Sequence, residues 1–122
     1  MPFEEYFDQL KKEFPKLSLH YFQSNHEGSL IDKIQEVGFE KETGMILNAG
    51  GLSHTSISLR DAVAAVPAPV IEVHISNIYE REDFRRKSYL TGVCKMHFIG
   101  HGLEGYRMGI HWLLERTPTT TE

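Results

Sequence analysis

A carboxylate, an imidazole and a hydroxyl stand at every second position of one apolar run, as Glu72, His74 and Ser76 within Pro69-Val70-Ile71-Glu72-Val73-His74-Ile75-Ser76-Asn77. Side chains alternate across a strand, so these three share one face. Burying polar groups costs free energy unless they are paired. A carboxylate beside an imidazole is an acid/base pair: it holds one ring nitrogen and leaves the other to give or take a proton. The same pairing also occurs as a purely structural core histidine, so the neighbouring segments decide between the two.

One such neighbour is Asn48 with the turn Ala49-Gly50-Gly51-Leu52-Ser53-His54-Thr55-Ser56. Backbone N–H groups and hydroxyls at a helix start suit an anion; the same residues equally make a glycine turn with an ordinary Ser/Thr cap. His54 lies in reach of a ligand held there. Ser53 and His54 do not form a nucleophile pair, because adjacent residues rarely achieve a hydroxyl-to-base hydrogen bond and the nucleophile-elbow spacing is missing. Arg81 and Arg85 are one helical turn apart and could clamp carboxylate or hydroxyl groups, or form a solvated charged face with Glu80, Glu82 and Asp83. Asp61 falls off the apolar stripe of its helix and is expected to face solvent or another subunit. His26, His54, His74, His97 and His101 lack the close spacing of a metal site, and no metal is predicted.

The elements that must position these groups follow from hydrophobic periodicity. Phe3, Tyr6, Phe7, Leu10 and Phe14 mark a helix ended by Pro15, and Leu17 to Phe22 reads as a short strand containing His20. A second helix opens with Asn25 as N-cap and turns Leu30, Ile31, Ile34 and Val37 to one side. Met45 to Asn48 is a strand. The third helix faces Leu59, Ala62, Val63 and Val66 inward and closes at Pro67 and Pro69. The Glu72/His74 strand is next, then a polar loop and short helix over Ile78 to Ser88, a strand from Lys95 to Ile99, the turn Gly100-His101-Gly102, and a last helix with Leu103, Tyr106, Ile110, Leu113 and Leu114 inward. Strands alternating with amphipathic helices predict a doubly wound parallel sheet in one α/β domain over residues 1–116, followed by a disordered tail, 117–122. Ligands bind outside the carboxyl ends of such strands. Asn48, the glycine turn and the Glu72-His74-Ser76 end all meet there by construction.

Composition narrows the function classes. The chain has 122 residues, 40% of them apolar and 25% charged, with 13 basic against 17 acidic residues and a net charge of −4. That balance argues against a sequence-independent grip on nucleic acid or an anionic membrane. A single cysteine, Cys94, excludes an intrachain disulfide and suits a reducing compartment. With no apolar run near ~20 residues and no basic-then-apolar leader, the chain reads as cytoplasmic.

Gln23-Ser24-Asn25-His26-Glu27-Gly28, Asn48 to Ser56, Arg60-Asp61-Ala62, Val70 to Asn77 followed by Arg81-Glu82-Asp83-Phe84-Arg85, and Gly100-His101-Gly102-Leu103-Glu104-Gly105-Tyr106 together resemble the type II 3-dehydroquinate dehydratases of the shikimate and quinate pathways. The likeness runs in order from the first helix to about Leu114. It implies a flavodoxin-like sheet and trimers packed into dodecamers, with no cofactor. The implied reaction removes water from 3-dehydroquinate by anti elimination through an enolate. On this resemblance His74 is the general acid, held by Glu72. Asn48, Ile75 and Ser76 hold substrate, His54 and Arg85 contact its hydroxyls, Asp61 reaches into a neighbouring subunit's site, and Arg81 lies at the rim.

The resemblance also has departures. Members of the family open with a strand and then a lid bearing an Arg and the Tyr that serves as base; neither has a counterpart before Phe3, and Tyr6 sits on an apolar stripe. Lys87 stands where a His is common. The fold is therefore expected without its usual first strand, and turnover by the 122-residue chain is expected to be severely reduced. The alternative expectation is a non-catalytic homologue that binds a polyhydroxy carboxylate or assembles with longer subunits.

Overall fold

A computed structural model describes residues 1–116; the expected disordered tail lies outside the described residues. Helix α1 (Phe3–Glu13) needs no side-chain cap: Glu4 and Glu5 in its first turn and Lys11 and Lys12 in its last complement the helix dipole. Tyr6 and Leu10 are its buried positions. Helix α2 (Glu27–Val37) begins one residue later than expected. His26 occupies the N-cap without a side-chain bond, because Asn25 Oδ1 accepts from Gln23 Nε2 at 3.1 Å instead, while Ser24 Oγ takes the His26 N–H at 3.0 Å.

Three parallel strands follow: β1 (Met45–Leu47), β2 (Val70–His74) and β3 (Met96–Ile99), in the spatial order β1-β2-β3. Met45 pairs with Val70 and Leu47 with Glu72; His74 pairs with Ile99. Every residue of β2 is buried, as expected for a parallel strand covered on both faces. Helix α3 (Ile57–Ala65) packs on α2 over one face, where Ile34, Leu59, Ala62, Val63, Val70 and Leu90 form a core. Helix α5 (Glu104–Arg116) and α1 cover the other face through Tyr6, Leu10 and Ile110. Full burial of side chains such as Leu59, Ile71, Val73 and Leu90 stabilises the fold by about 1.5–3 kcal/mol each.

Helix α5 meets the sheet through glycines. A Cβ at Gly109 would stand 3.0 Å from Ile46 Cδ1, and one at Gly105 would stand 3.0 Å from Val73 Cγ1. This close approach corrects the expected stripe: Gly105, Gly109 and Ile110 are the buried positions, and Leu114 is exposed. Between β2 and β3 run a 3-10 turn, Ile78–Glu80, and the short helix α4 (Asp83–Arg86).

The expected strand over Leu17 to Phe22 is not formed. A strand exists only by sharing hydrogen bonds with a neighbouring edge, and this segment pairs with neither β1 nor β3. Its apolar residues go elsewhere: Leu17 and Leu19 join the Tyr6 core, and the Tyr21 ring lies 4.7 Å from that of Phe3. His20 is exposed, 2.9 Å from Ser18 Oγ. No helix of the described residues is long and apolar enough to cross a membrane.

Candidate active site

Alternation along β2 sends Ile71 and Val73 toward α5 and leaves Glu72 and His74 on the face shared with α3. Glu72 is 0% exposed and His74 4%. His74 Nε2 donates to Glu72 Oε2 at 2.5 Å, leaving Nδ1 as the ring nitrogen free for other work. Two further donors reach the carboxylate: Ser88 Oγ to Oε2 at 2.5 Å and Thr91 Oγ1 to Oε1 at 2.7 Å. Burial pushes the Glu72 carboxyl up, but the hydrogen bonds from His74, Ser88 and Thr91 outweigh it and hold the group below the usual carboxylate range. The pair is thus built around an anion.

Sequence reasoning missed Ser88 and Thr91. The one signal available was the valence of a buried carboxylate, which takes more hydrogen bonds than one imidazole supplies. Cys94, nearby, is not a nucleophile: burial, with the charge of Glu72, pushes its thiol to about 12.

At the end of β1, Asn48 Oδ1 accepts from Gly50 N at 3.2 Å and Asn48 Nδ2 donates to the Tyr106 hydroxyl at 3.1 Å. Both ends of the amide are thereby oriented. Gly50 takes φ +56°, a left-handed conformation that glycine adopts without a Cβ clash, and opens a 3-10 turn, Gly50–His54. Ser56 caps α3, accepting from Leu59 N at 2.9 Å and donating to Glu27. The helix start is therefore closed by its own cap. Gly50 and Gly51, rather than Ser53 and Ser56, border the cleft. Ser53 Oγ is buried with no hydrogen-bond partner among the described residues, so no base activates it. His54 Nδ1 lies 2.7 Å from the Lys87 carbonyl. A carbonyl only accepts, so Nδ1 carries the proton and Nε2 is left as the acceptor. The His54 and His74 rings stack with centroids 6.1 Å apart.

These groups surround a cleft of about 220 Å³. Asn48, His54 and His74 border it from the strand ends, and Ile75, Ser76, Arg81 and Arg85 from the segment after β2. Glu72 stands behind His74. Asp61 is not among the lining residues; its side chain is 65% exposed and pairs with Arg60 Nη1 at 3.0 Å. The two arginines do not share a helical face as their spacing suggests. Arg81 follows the 3-10 turn and its Nη1 lies 3.4 Å from Ser76 Oγ, whereas Arg85 belongs to α4 and its Nε lies 2.7 Å from Glu82 Oε2. They converge on the cleft because the chain bends between them. Among the described residues no group of three or more His, Cys, Asp or Glu is placed to hold a metal ion. A small polyhydroxylated anion fits the chemistry: guanidinium groups for charge, amide and imidazole for hydroxyls, and one buried acid/base pair.

Comparison with known proteins agrees in sequence and in shape. Residues 1–114 match the family model of class II dehydroquinases. The chain is 50% identical over 104 residues to a 3-dehydroquinate dehydratase of Chlorobaculum tepidum and 48% identical over 100 residues to one of Bacillus subtilis. These alignments take in 84% and 82% of this chain, and 70% and 67% of the two relatives. The crystal structure of a type II dehydroquinase from Butyrivibrio crossotus superposes with a TM-score of 0.88 at 40% identity, over 93% of this chain and 81% of that one. One from Propionibacterium acnes gives 0.72 at 34% identity, over 76% and 68%. With the family model spanning both covered faces of the sheet and the whole rim of the cleft, the chain belongs to the class II dehydroquinase family.

Proposed function

We propose that this chain dehydrates 3-dehydroquinate to 3-dehydroshikimate by anti elimination through an enolate, with His74 as the general acid. No tyrosine is among the described residues that line the cleft, so water in the cleft takes the proton from the carbon beside the ketone; the electron pair is held as the enolate, and the hydroxyl one carbon further on departs as water with a proton from the imidazole. Glu72 steadies the imidazolium. Asn48 and the backbone N–H groups of Ile75 and Ser76 hold the substrate, His54 and Arg85 contact its hydroxyls, and Arg81 guards the rim. The observation that carries this reading is the Glu72–His74 pair, buried except where it meets the cleft, with Nε2 already spoken for at 2.5 Å. Proton transfer of this kind needs neither metal nor organic cofactor.

The same reading places the working enzyme in the cytoplasm as trimers packed into dodecamers, with Asp61 entering a neighbour's site. The support for the assembly is the exposure of Asp61 one helical turn from the exposed apolar residue Ile57.

The test is the appearance of the conjugated enone product, followed by ultraviolet absorbance. His74→Asn is expected to lower kcat by about 10²–10⁴-fold, the usual contribution of a positioned acid, with an unchanged circular dichroism spectrum. A His74→Asn variant that works within about twofold of the parent, or a parent that binds substrate without turnover, would overturn the proposal.

A further inference from the structure

We infer that Lys87–Thr91 is a positioning strap, in which the Ser88 and Thr91 hydroxyls hold Glu72 as an oriented anion while Lys87 fixes His54 across the cleft. The inference rests on the proposed role of the Glu72–His74 pair and extends it to residues that do not touch the cleft.

The strap is anchored along its length. Lys87 O accepts from His54 Nδ1 at 2.7 Å, and Tyr89 N donates to Ser53 O at 2.8 Å. These two bonds tie it to the glycine turn. Leu90 is 0% exposed in the core between α2 and α3, and its carbonyl accepts from Val93 N at 3.0 Å and Cys94 N at 2.9 Å. Ser88 and Thr91, on either side of that anchor, reach back to Glu72, 16 and 19 residues earlier. Ser88 Oγ also accepts from Leu90 N at 3.1 Å. Since a backbone N–H and a carboxylate are its two partners, and a carboxylate only accepts, the one hydroxyl proton goes to Oε2.

Neutral donors suit this place for a chemical reason. A guanidinium or ammonium on Glu72 would cancel the charge that holds the His74 N–H. Hydroxyls fill the carboxylate's remaining valences without doing so. The titratable groups around Glu72 are His74 on its own strand, His97 opposite it on β3, His54 from the 3-10 turn and Cys94 from the connection to β3. None of these can replace a lost hydroxyl donor. Removal of either hydroxyl leaves a buried carboxylate oxygen short of a partner and makes the anion harder to keep.

The experiment uses the whole 122-residue chain in four variants: Thr91→Val, which keeps the shape and removes the donor, Thr91→Ser, Ser88→Ala and Glu72→Gln. Carboxyl-carbon NMR titration follows Glu72, its resonance identified by its loss in Glu72→Gln. Thr91→Val and Ser88→Ala are each expected to raise the Glu72 midpoint by about one pH unit, the size of one hydrogen bond to a charged group; Thr91→Ser should leave it in place. In the dehydration assay the acid limb of kcat/KM should move the same way in Thr91→Val. Unmoved midpoints in both donor-deleted variants, with only a lower melting temperature, would reduce the strap to ordinary packing and overturn the inference. If Thr91→Val does not fold, Ser88→Ala decides. A fully active Glu72→Gln would instead sink the proposed role of the pair, while the titration still judges the strap.

Discussion

At the residue scale, the chemistry turns on how a carboxylate with no exposure stays charged. Isolated, it would neutralise itself; with three donors within 2.7 Å it does not. Because the folded carboxyl is held below its unfolded value of about 4.5, folding is favoured by deprotonation. That stabilisation is complete above the unfolded value and is lost as pH falls through the depressed folded one. Urea unfolding of the parent should therefore show stability declining below about pH 4.5, and Glu72→Gln should flatten that part of the profile. At neutral pH the same variant is expected to be less stable by about 1–3 kcal/mol, because the amide presents a donor where the carboxylate only accepts and leaves a buried N–H or O–H without its partner.

At the scale of elements, the junctions decide where the cleft forms. Helix α2 ends at Gly38, whose Cβ would lie 2.5 Å from Val66 Cβ and 2.6 Å from the Ile34 carbonyl. Neither atom can swing aside. Gly38→Ala is expected to cost about 1–3 kcal/mol through overpacking, read as a lower urea midpoint with an unchanged m-value. Ser56 serves as N-cap to α3 and bonds to Glu27 on α2; Ser56→Ala should cost about 1 kcal/mol. Read alone, the motif Gln23 to Gly28 offered Asn25 as the N-cap of α2, a place that His26 takes. Glu27 has a role as well, since it joins α2 to the residue that closes the glycine turn.

At the scale of the whole molecule, β1 and β3 are both edges of the described sheet, and Ile57, Tyr79 and Phe84 leave large apolar surface exposed. Ile57 and Asp61 lie four residues apart on α3 and so share a face. The proposed assembly would cover that face. Sedimentation equilibrium of the parent is expected to show trimers or multiples of them, and Ile57→Asp should shift the population to smaller species with unchanged circular dichroism and reduced turnover. A parent that sediments as a monomer would remove the role proposed for Asp61.

Alternation and order in the chain were enough to place Glu72 and His74 on one face of a buried parallel strand, Asn48 and the glycine turn at the same rim, and Asp61 off the apolar stripe. Those features follow from local periods of 2 and 3.6 residues and from the rule that ligands meet the carboxyl ends of parallel strands. The fate of Leu17 to Phe22, the bend that brings Arg81 and Arg85 to one cleft from different elements, and the two hydroxyls that complete Glu72 were decided only in three dimensions. Each depends on which distant backbone lies alongside. A strand needs an edge to pair with, and a buried anion needs donors that the chain supplies from a segment sixteen or more residues away.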